Sequence, residues 1–340
     1  MQRVGLAACG VVLGAAAWLM LHNLQIGPPQ LYDEGTYAQV TQESFNDGNI
    51  FDLRFQDKSW FEKPPVYFWL AKAATSLTGD PILGIRIPSA LFGIVVVVMT
   101  MLLAYAFTKK SLVGAIAGAI LILTPPFIDG AREARLDIVI AFFILATFYF
   151  AIRRRYLWWG VAAGLAILTK SAIGVFALVP LLVMSFWNSD WSWARDKKFL
   201  AGAALALLVT VPWHLYELTI HGAAFLQEYV GVHIFARYEI NLFGNPALQT
   251  AYLPRLIEQT PLTLALFAAT LAVLPFVWRR LQGATRSGLA VCLVMVALMT
   301  LVFFTAQTRA LSYLIPLYPF AALIAALSAS AFVPRSRLPQ

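Results

Sequence analysis

Two pairs of neighbouring charges stand out in an otherwise apolar chain: Asp33-Glu34, and Glu62-Lys63 followed by Pro64-Pro65. A carboxylate at the edge of a low-dielectric medium can act as general base toward a hydroxyl or an amine, so Asp33 and Glu34 are candidate catalytic acids. The same pair also suits the N-terminus of a helix, where the dipole favours negative charge. Lys63 could pin a phosphate, with Glu62 binding a metal or positioning the lysine, and the two prolines would stiffen the backbone behind them. As an exposed ion pair the same two residues would contribute under about 1 kcal/mol.

Other charged groups recur at the edges of apolar runs. Arg132, Arg135 and Asp137 open one such run; arginine there can simply snorkel, whereas Asp137 lies deeper. Arg86 and Lys170 read as anchors of the same kind. Further on come His214, His221, Glu228, His233, Arg237 and Glu239. His233 and Arg237, spaced i, i+4, share a helix face, and so do Arg309 and Tyr313. No HExxH or paired-histidine zinc pattern occurs. Lys63, Arg237 and Arg309, retained among so many acids, suggest an anionic ligand.

The elements that must position these groups are membrane helices. The chain has 340 residues, 60% hydrophobic and only 12% charged, against about 25% charged in a soluble domain. Its net charge of +8 marks topology rather than nucleic-acid binding. Cys9 and Cys292 both fall in apolar stretches, which argues against a disulfide framework or a cysteine metal site. Leu6-Ala7-Ala8-Cys9 resembles a lipoprotein cleavage box, but the apolar core follows the cysteine instead of preceding it. A cleaved signal peptide is the alternative for this first segment, but its apolar run, Val4 to Leu21, is long for one, so a retained first helix is expected.

About ten spans are expected, at 4–24, 81–107, 111–127, 136–152, 156–170, 172–187, 199–217, 260–278, 287–305 and 311–332. The fifth and sixth are short and are divided by Lys170-Ser171. One set of turns carries Arg3, Lys109-Lys110, Arg153-Arg154-Arg155, Arg195 with Lys197-Lys198, Arg279-Arg280 with Arg286, and Arg335 with Arg337. On that side stand only two acids, Asp190 and Asp196, while the other 15 of the 17 fall opposite. The positive-inside rule then makes the basic side and both termini cytoplasmic.

Two outer segments are long, 25–80 and 218–259. In the first, Tyr32, Tyr37, Val40 and Phe45, and then Phe61, Tyr67, Phe68 and Leu70, predict two amphipathic helices on the membrane surface. Asn46-Asp47-Gly48-Asn49 should end the first of them. Trp60, Tyr67, Phe68 and Trp69 suit the interfacial aromatic belt. The whole chain, 1–340, reads as a single membrane-embedded domain.

Tyr32-Asp33-Glu34-Gly35-Thr36-Tyr37-Ala38, Phe61-Glu62-Lys63-Pro64-Pro65, Arg86-Ile87-Pro88-Ser89, Arg135-Leu136-Asp137, Leu168-Thr169-Lys170, Pro212-Trp213, His233 with Arg237, and Arg309 with Tyr313 through Pro316 occur in an order that resembles the GT-C class of lipid-linked-sugar glycosyltransferases. The likeness is greatest to the bacterial aminoarabinose transferase and protein O-mannosyltransferase group. The resemblance implies an all-α polytopic fold and inverting transfer of a sugar from a polyprenyl-phosphate donor to a lipid, glycan or protein acceptor. The reaction would take place on the periplasmic face of a bacterial inner membrane. Asp33 would be the catalytic carboxylate, with Glu34 beside it. Lys63, Arg237 and Arg309 would hold the donor phosphate, supported by Arg135, Asp137, Lys170 and Tyr313. Glu62 and His233 match positions that can bind a divalent metal, and a divalent metal is the one cofactor the resemblance allows. Members of that group are longer than this chain. Competing readings are a transporter or flippase of a lipid-linked sugar, a lipid phosphatase or a ligase using another activated lipid, and a non-catalytic subunit of a glycan-assembly complex. Ionisable groups crowding one rim favour the enzyme over a transporter, whose polar sites lie near mid-membrane.

Overall fold

The computed structural model describes residues 2–27, 33–240 and 252–333. They form a bundle of helices. The elements up to the middle of the chain are α1 (Gln2–Leu21), α2 (Asp33–Glu43), the strands β1 (Arg54–Phe55) and β2 (Lys58–Ser59), α3 (Val66–Thr78), α4 (Pro81–Thr108), α5 (Ser111–Ile122), α6 (Pro125–Arg132), α7 (Leu136–Ile152), α8 (Tyr156–Gly174), α9 (Val179–Asn188) and α10 (Lys197–His221). Then follow a π-helical stretch, Leu226–Ala236, and the helices Tyr252–Gln259, Pro261–Arg280, Gly283–Thr305 and Tyr318–Ala329.

Among the described residues seven helical segments, with Tyr156–Asn188 and Leu311–Ala329 each taken as one, are long and apolar enough to cross a membrane, or eight when α5 and α6, bent by 73°, count as one span. The chain is a multi-pass membrane protein. Length and composition alone do not return the expected ten. Part of the difference lies in α7, which is apolar but has only 17 residues. The rest lies in Tyr156–Asn188, which counts as one segment of 33 residues but is not straight. Arg154, just before it, pairs with Asp190, just after it, at 2.6 Å. A straight helix of that length would hold its ends about 50 Å apart. The chain turns back at Lys170 (φ −150°, ψ 54°) and Ser171 (φ 37°, ψ −118°). Beyond the turn it packs so closely that a Cβ on Gly174 would lie 2.5 Å from the Cα of Ile167.

The basic turns gather at one end of the bundle. Ser111 Oγ donates to Gln2 O (3.3 Å), Lys110 Nζ to Ser330 O (2.8 Å), Thr285 Oγ1 to Phe107 O (2.8 Å) and Ser287 Oγ to Asn188 Oδ1 (3.0 Å). The start of α1 and the end of Tyr318–Ala329 therefore share that end with the turns after α4, α7 and α9. Arg335 and Arg337 lie outside the described residues.

At the other end, segment 33–80 forms a small ordered cap. Asn46 to Asn49 make the expected turn, with Gly48 at φ 83° and Asn49 N donating to Asp47 Oδ1 at 3.0 Å. A two-residue hairpin, not anticipated from the sequence, pairs Arg54 with Ser59 and Phe55 with Lys58. Its turn residues Gln56 and Asp57 both have positive φ, 53° and 60°, which is the geometry that matches strand twist.

The aromatic residues of this cap do not form an interfacial belt. Tyr67 and Phe68 are fully buried and Trp60 nearly so. Phe68 meets Trp60 edge to face at 5.1 Å and Tyr37 at 5.5 Å. Burying a ring of this size contributes about 1.5–3 kcal/mol, so these residues form the cap's own core. Trp69, half-buried, donates to Ile50 O at 2.6 Å. Helix α4 begins with Pro81 after Asp80, whose Oδ1 accepts from Ile82 N (2.9 Å) and Leu83 N (3.1 Å), a satisfied N-cap.

Candidate functional site

The start of α2 presents two acids with different fates. Glu34 is fully buried. Its Oε1 accepts from Arg86 Nε and its Oε2 from Arg86 NH2, each at 2.9 Å, and Oε1 also accepts from Ala134 N at 2.8 Å. Arg86 NH1 donates to the carbonyls of Leu24 (3.1 Å) and Ile26 (3.3 Å) after α1. This bidentate pair ties α2, α4, the chain after α1 and the approach to α7 together. The expectation of Glu34 as a catalytic acid is corrected accordingly, because both of its oxygens are spent inside the protein. Arg86, expected as a membrane anchor, is that acid's partner.

Asp33 keeps 43% of its side-chain surface exposed and pairs with Arg135. Arg135 also pairs with Glu133, Nε to Oε2 at 2.9 Å, and is the N-cap residue of α7. Ser89 Oγ accepts from Arg135 N at 2.8 Å. Neighbouring Arg132 instead caps the end of α1, donating to Leu19 O (2.6 Å) and His22 O (2.9 Å).

In the first turn of α7, Asp137 pairs with Lys170 at 2.5 Å, both side chains nearly buried. The break in α8 thus carries an ammonium, and its Nζ stands 4.6 Å from the centre of the Tyr313 ring. Lys63 Nζ pairs with Glu62 Oε1 at 2.8 Å. Lys63, Lys170 and Tyr313 share the wall of a cavity of about 370 Å³ with Glu62, Ser171 and His233. The apolar part of the wall includes Ile173, Phe235, Val302 and Phe303, and Thr308, Tyr238 and Glu239 also line it. Two ammoniums, each held by a carboxylate, beside an apolar stretch of wall suit a ligand with an anionic head and a hydrocarbon tail.

Tyr37, buried one turn after Asp33 in α2, senses the charges of the site. Burial, and then the charges of Asp33, Glu62 and Asp137, hold its hydroxyl well above the ordinary phenol range, with Arg135 working the other way. In the sequence Tyr37 served only as part of a helical pattern, although its i, i+4 spacing from Asp33 placed both on one face. The break at Lys170-Ser171 and the charge at Glu239 are visible in the sequence, but it assigns neither Ser171 nor Glu239 to the site, and Thr308 and Tyr238 carry no local signal, because a pocket wall is assembled from separate segments.

Some expectations are not met by the geometry. Arg309 donates to Ala306 O (2.9 Å) and Phe304 O (2.8 Å), capping the helix Gly283–Thr305, and is not among the cavity-lining residues. The side chain of Arg237, residue Tyr32 and residues 241–251 lie outside the described residues. His233 stands 3.7 Å from Glu228. Among the described residues no group of three His, Cys, Asp or Glu could hold a metal, and Glu62 already faces an ammonium. The donor set therefore does not fit a metal site at Glu62 and His233.

Comparison with known proteins places this geometry in context. Residues 62–216 match the family model described as dolichyl-phosphate-mannose-protein mannosyltransferase. An undecaprenyl phosphate-alpha-4-amino-4-deoxy-L-arabinose arabinosyl transferase of Pseudomonas fluorescens is 29% identical over 327 residues, covering 90% of this chain and 54% of that protein. The crystal structure of ArnT from Cupriavidus metallidurans bound to undecaprenyl phosphate superposes with a TM-score of 0.74 at 23% identity, over 99% of this chain and 60% of that one. The archaeal oligosaccharyltransferase AglB from Archaeoglobus fulgidus gives a TM-score of 0.61 at 16% identity, over 94% and 50%. The chain spans about half the length of the curated relatives it matches. It has the membrane fold of ArnT, and it resembles the polyprenyl-phosphate-sugar glycosyltransferases of the GT-C class as its motifs implied.

Proposed function

We propose that this chain transfers a glycosyl group from a polyprenyl phosphate to a lipid, glycan or protein acceptor, with inversion, at the periplasmic rim of a bacterial inner membrane. Residues 1–340 act as one membrane-embedded domain, with the basic end and both termini in the cytoplasm. The observation that carries the reading is the cavity wall on which Lys63 and Lys170, paired with Glu62 and Asp137, stand beside the apolar stretch of Ile173, Phe235, Val302 and Phe303, at the end of the bundle that also holds Asp33.

In this reading Asp33 takes the proton of the acceptor hydroxyl or amine as the acceptor attacks the anomeric carbon. The bond from that carbon to the phosphate oxygen breaks, and its electron pair leaves with the polyprenyl phosphate. Lys63 and Lys170 stabilise the charge that develops on the phosphate, with Arg237 assisting from its position after the π-helical stretch. Asp137 positions Lys170, Arg135 positions Asp33, and Tyr313 forms part of the wall beside the ammonium. Arg309 supports the site through the helix end that it caps.

The test compares lipid and glycan pools, by mass spectrometry, in cells making the wild type, Asp33→Asn or no protein. The expected result is a saccharide present only with the wild type and an undiminished level of Asp33→Asn protein. Normal product with Asp33→Asn would overturn the assignment of the base. A change confined to which membrane face carries the donor would instead favour a flippase.

A further inference from the structure

At the basic end of the bundle lies a second cavity, of about 450 Å³. It is far from the site described above. Asp137 opens α7 at the site end, whereas Arg153 follows the last residue of α7 at this end, about 25 Å away along 17 helical residues. Its polar lining comes from Lys109, Arg153, Asn188 and Ser287, and its apolar lining includes Phe107 and Met184.

Three observations point to its ligand. First, Lys109 and Arg153 are both exposed, and among the described residues neither has a carboxylate within 4.0 Å, whereas neighbouring Arg154 pairs with Asp190. Second, Ser287 Oγ donates to Asn188 Oδ1 at 3.0 Å, fixing the Asn188 amide on the same wall as the two cations. Third, tryptophan and arginine stand at this end of the bundle, Trp187 being the chain neighbour of the lining residue Asn188. Trp187 and Trp278 meet edge to face at 5.6 Å, Trp187 is 46% exposed, and Arg286 lies over the Trp278 ring at 4.8 Å. Tryptophan and arginine together mark the membrane–water boundary.

We propose that this cavity binds the phosphate of an anionic bilayer phospholipid. Lys109 and Arg153 face the phosphate, the Asn188 amide nitrogen donates to the headgroup while Ser287 holds the amide oxygen, and Phe107 and Met184 lie along the acyl chains. Basic pockets between helices at a membrane face are suited to such headgroups. The lipid would bridge the ends of α4, α7, α9 and the helix Gly283–Thr305, each of which contributes to the lining. This site is independent of sugar transfer and does not rest on that reading.

The test is native mass spectrometry of the full chain, purified and stripped of lipid, then supplied with dioleoylphosphatidylglycerol or dioleoylphosphatidylcholine. Three proteins are compared: the wild type, the double variant Lys109→Gln/Arg153→Gln, and Ala284→Trp. The last fills the cavity from its own wall and leaves both charges in place. The expected result is one phosphatidylglycerol held about tenfold or more tightly by the wild type than by either variant. Phosphatidylcholine should not separate the three, and millimolar inorganic phosphate should leave the bound lipid in place. Equal phosphatidylglycerol binding by all three proteins would overturn the proposal. So would full displacement by inorganic phosphate, which would make the cavity a site for the free ion.

Discussion

Lys170 Nζ lies 2.5 Å from Oδ1 of Asp137, and neither side chain exposes more than 11% of its surface. The pair joins the first turn of α7 to the break in α8. Removing one member of a buried pair leaves a charge uncompensated, at a cost of about 3–5 kcal/mol. Asp137→Asn and Lys170→Met should each lower the melting temperature in detergent. The double variant Asp137→Leu/Lys170→Met should melt closer to the wild type than either single one, while transferring no sugar. A double variant no more stable than the singles would show that the pair is not coupled.

The neighbours Asp33 and Glu34 should separate cleanly in measurement. Glu34→Ala strands Arg86 in the interior and should cost about 3–5 kcal/mol, read as loss of folded protein. Asp33 is half exposed, and Asp33→Asn should cost under about 1 kcal/mol while abolishing turnover. Equal thermal effects of the two substitutions would contradict the division of roles.

The reversal at Lys170-Ser171 makes a topological prediction. A cysteine at Ser171 should react with an impermeant maleimide from the same side of the membrane as one at Asp57 in the hairpin turn. A cysteine at Arg154 should react only from the opposite side. Labelling of positions 154 and 171 from one side would refute the antiparallel arrangement.

Glu133 gives a pH dependence. Burial, offset in part by Arg135, holds its carboxyl above the ordinary 4.5. The folded protein therefore binds this proton more tightly than the unfolded chain. The contribution to stability is full below about pH 4.5 and is lost as pH rises through the elevated folded value. Glu133→Gln should flatten that slope in melting temperatures measured between about pH 4 and 7. A Gln variant with an unchanged slope would assign the effect elsewhere.

Helices α8 and α10 cross without room for a side chain. A Cβ on Gly202 would lie 2.1 Å from the carbonyl oxygen of Tyr156, and one on Gly160 1.8 Å from that of Gly202. Small residues allow such backbone approach between membrane helices. Gly202→Val should therefore destabilise by more than about 2 kcal/mol, whereas Gly14→Ala, with nothing within 4 Å, should be neutral in the same melting assay.

Charge distribution made the helical membrane architecture and the common end of the basic turns legible, because lysine and arginine are sorted by the bilayer independently of packing. The Glu62-Lys63 pair and Asp33 could be found by their chemistry and by resemblance. The division of labour between Asp33 and Glu34 could not. It depends on Arg86, which stands 52 residues later, and no local pattern encodes that meeting. The cap aromatics misled for the same reason. Trp60, Tyr67 and Phe68 have the composition of an interfacial belt, but the hairpin and α2 give them a dry core instead. Arg309 illustrates the converse: spacing brought it near Tyr313, but backbone carbonyls captured it first.

The turn at Lys170-Ser171 decides two things at once, the route of the chain and the contents of a cavity. Ser171 holds φ at 37°, a left-handed value that glycine adopts far more readily. A substitution that let this peptide relax would shift an ammonium and the register of the following helix in the same movement. Tolerance to change should therefore be lowest not where the chemistry is densest but at this one corner, where architecture and reactivity share a hinge point.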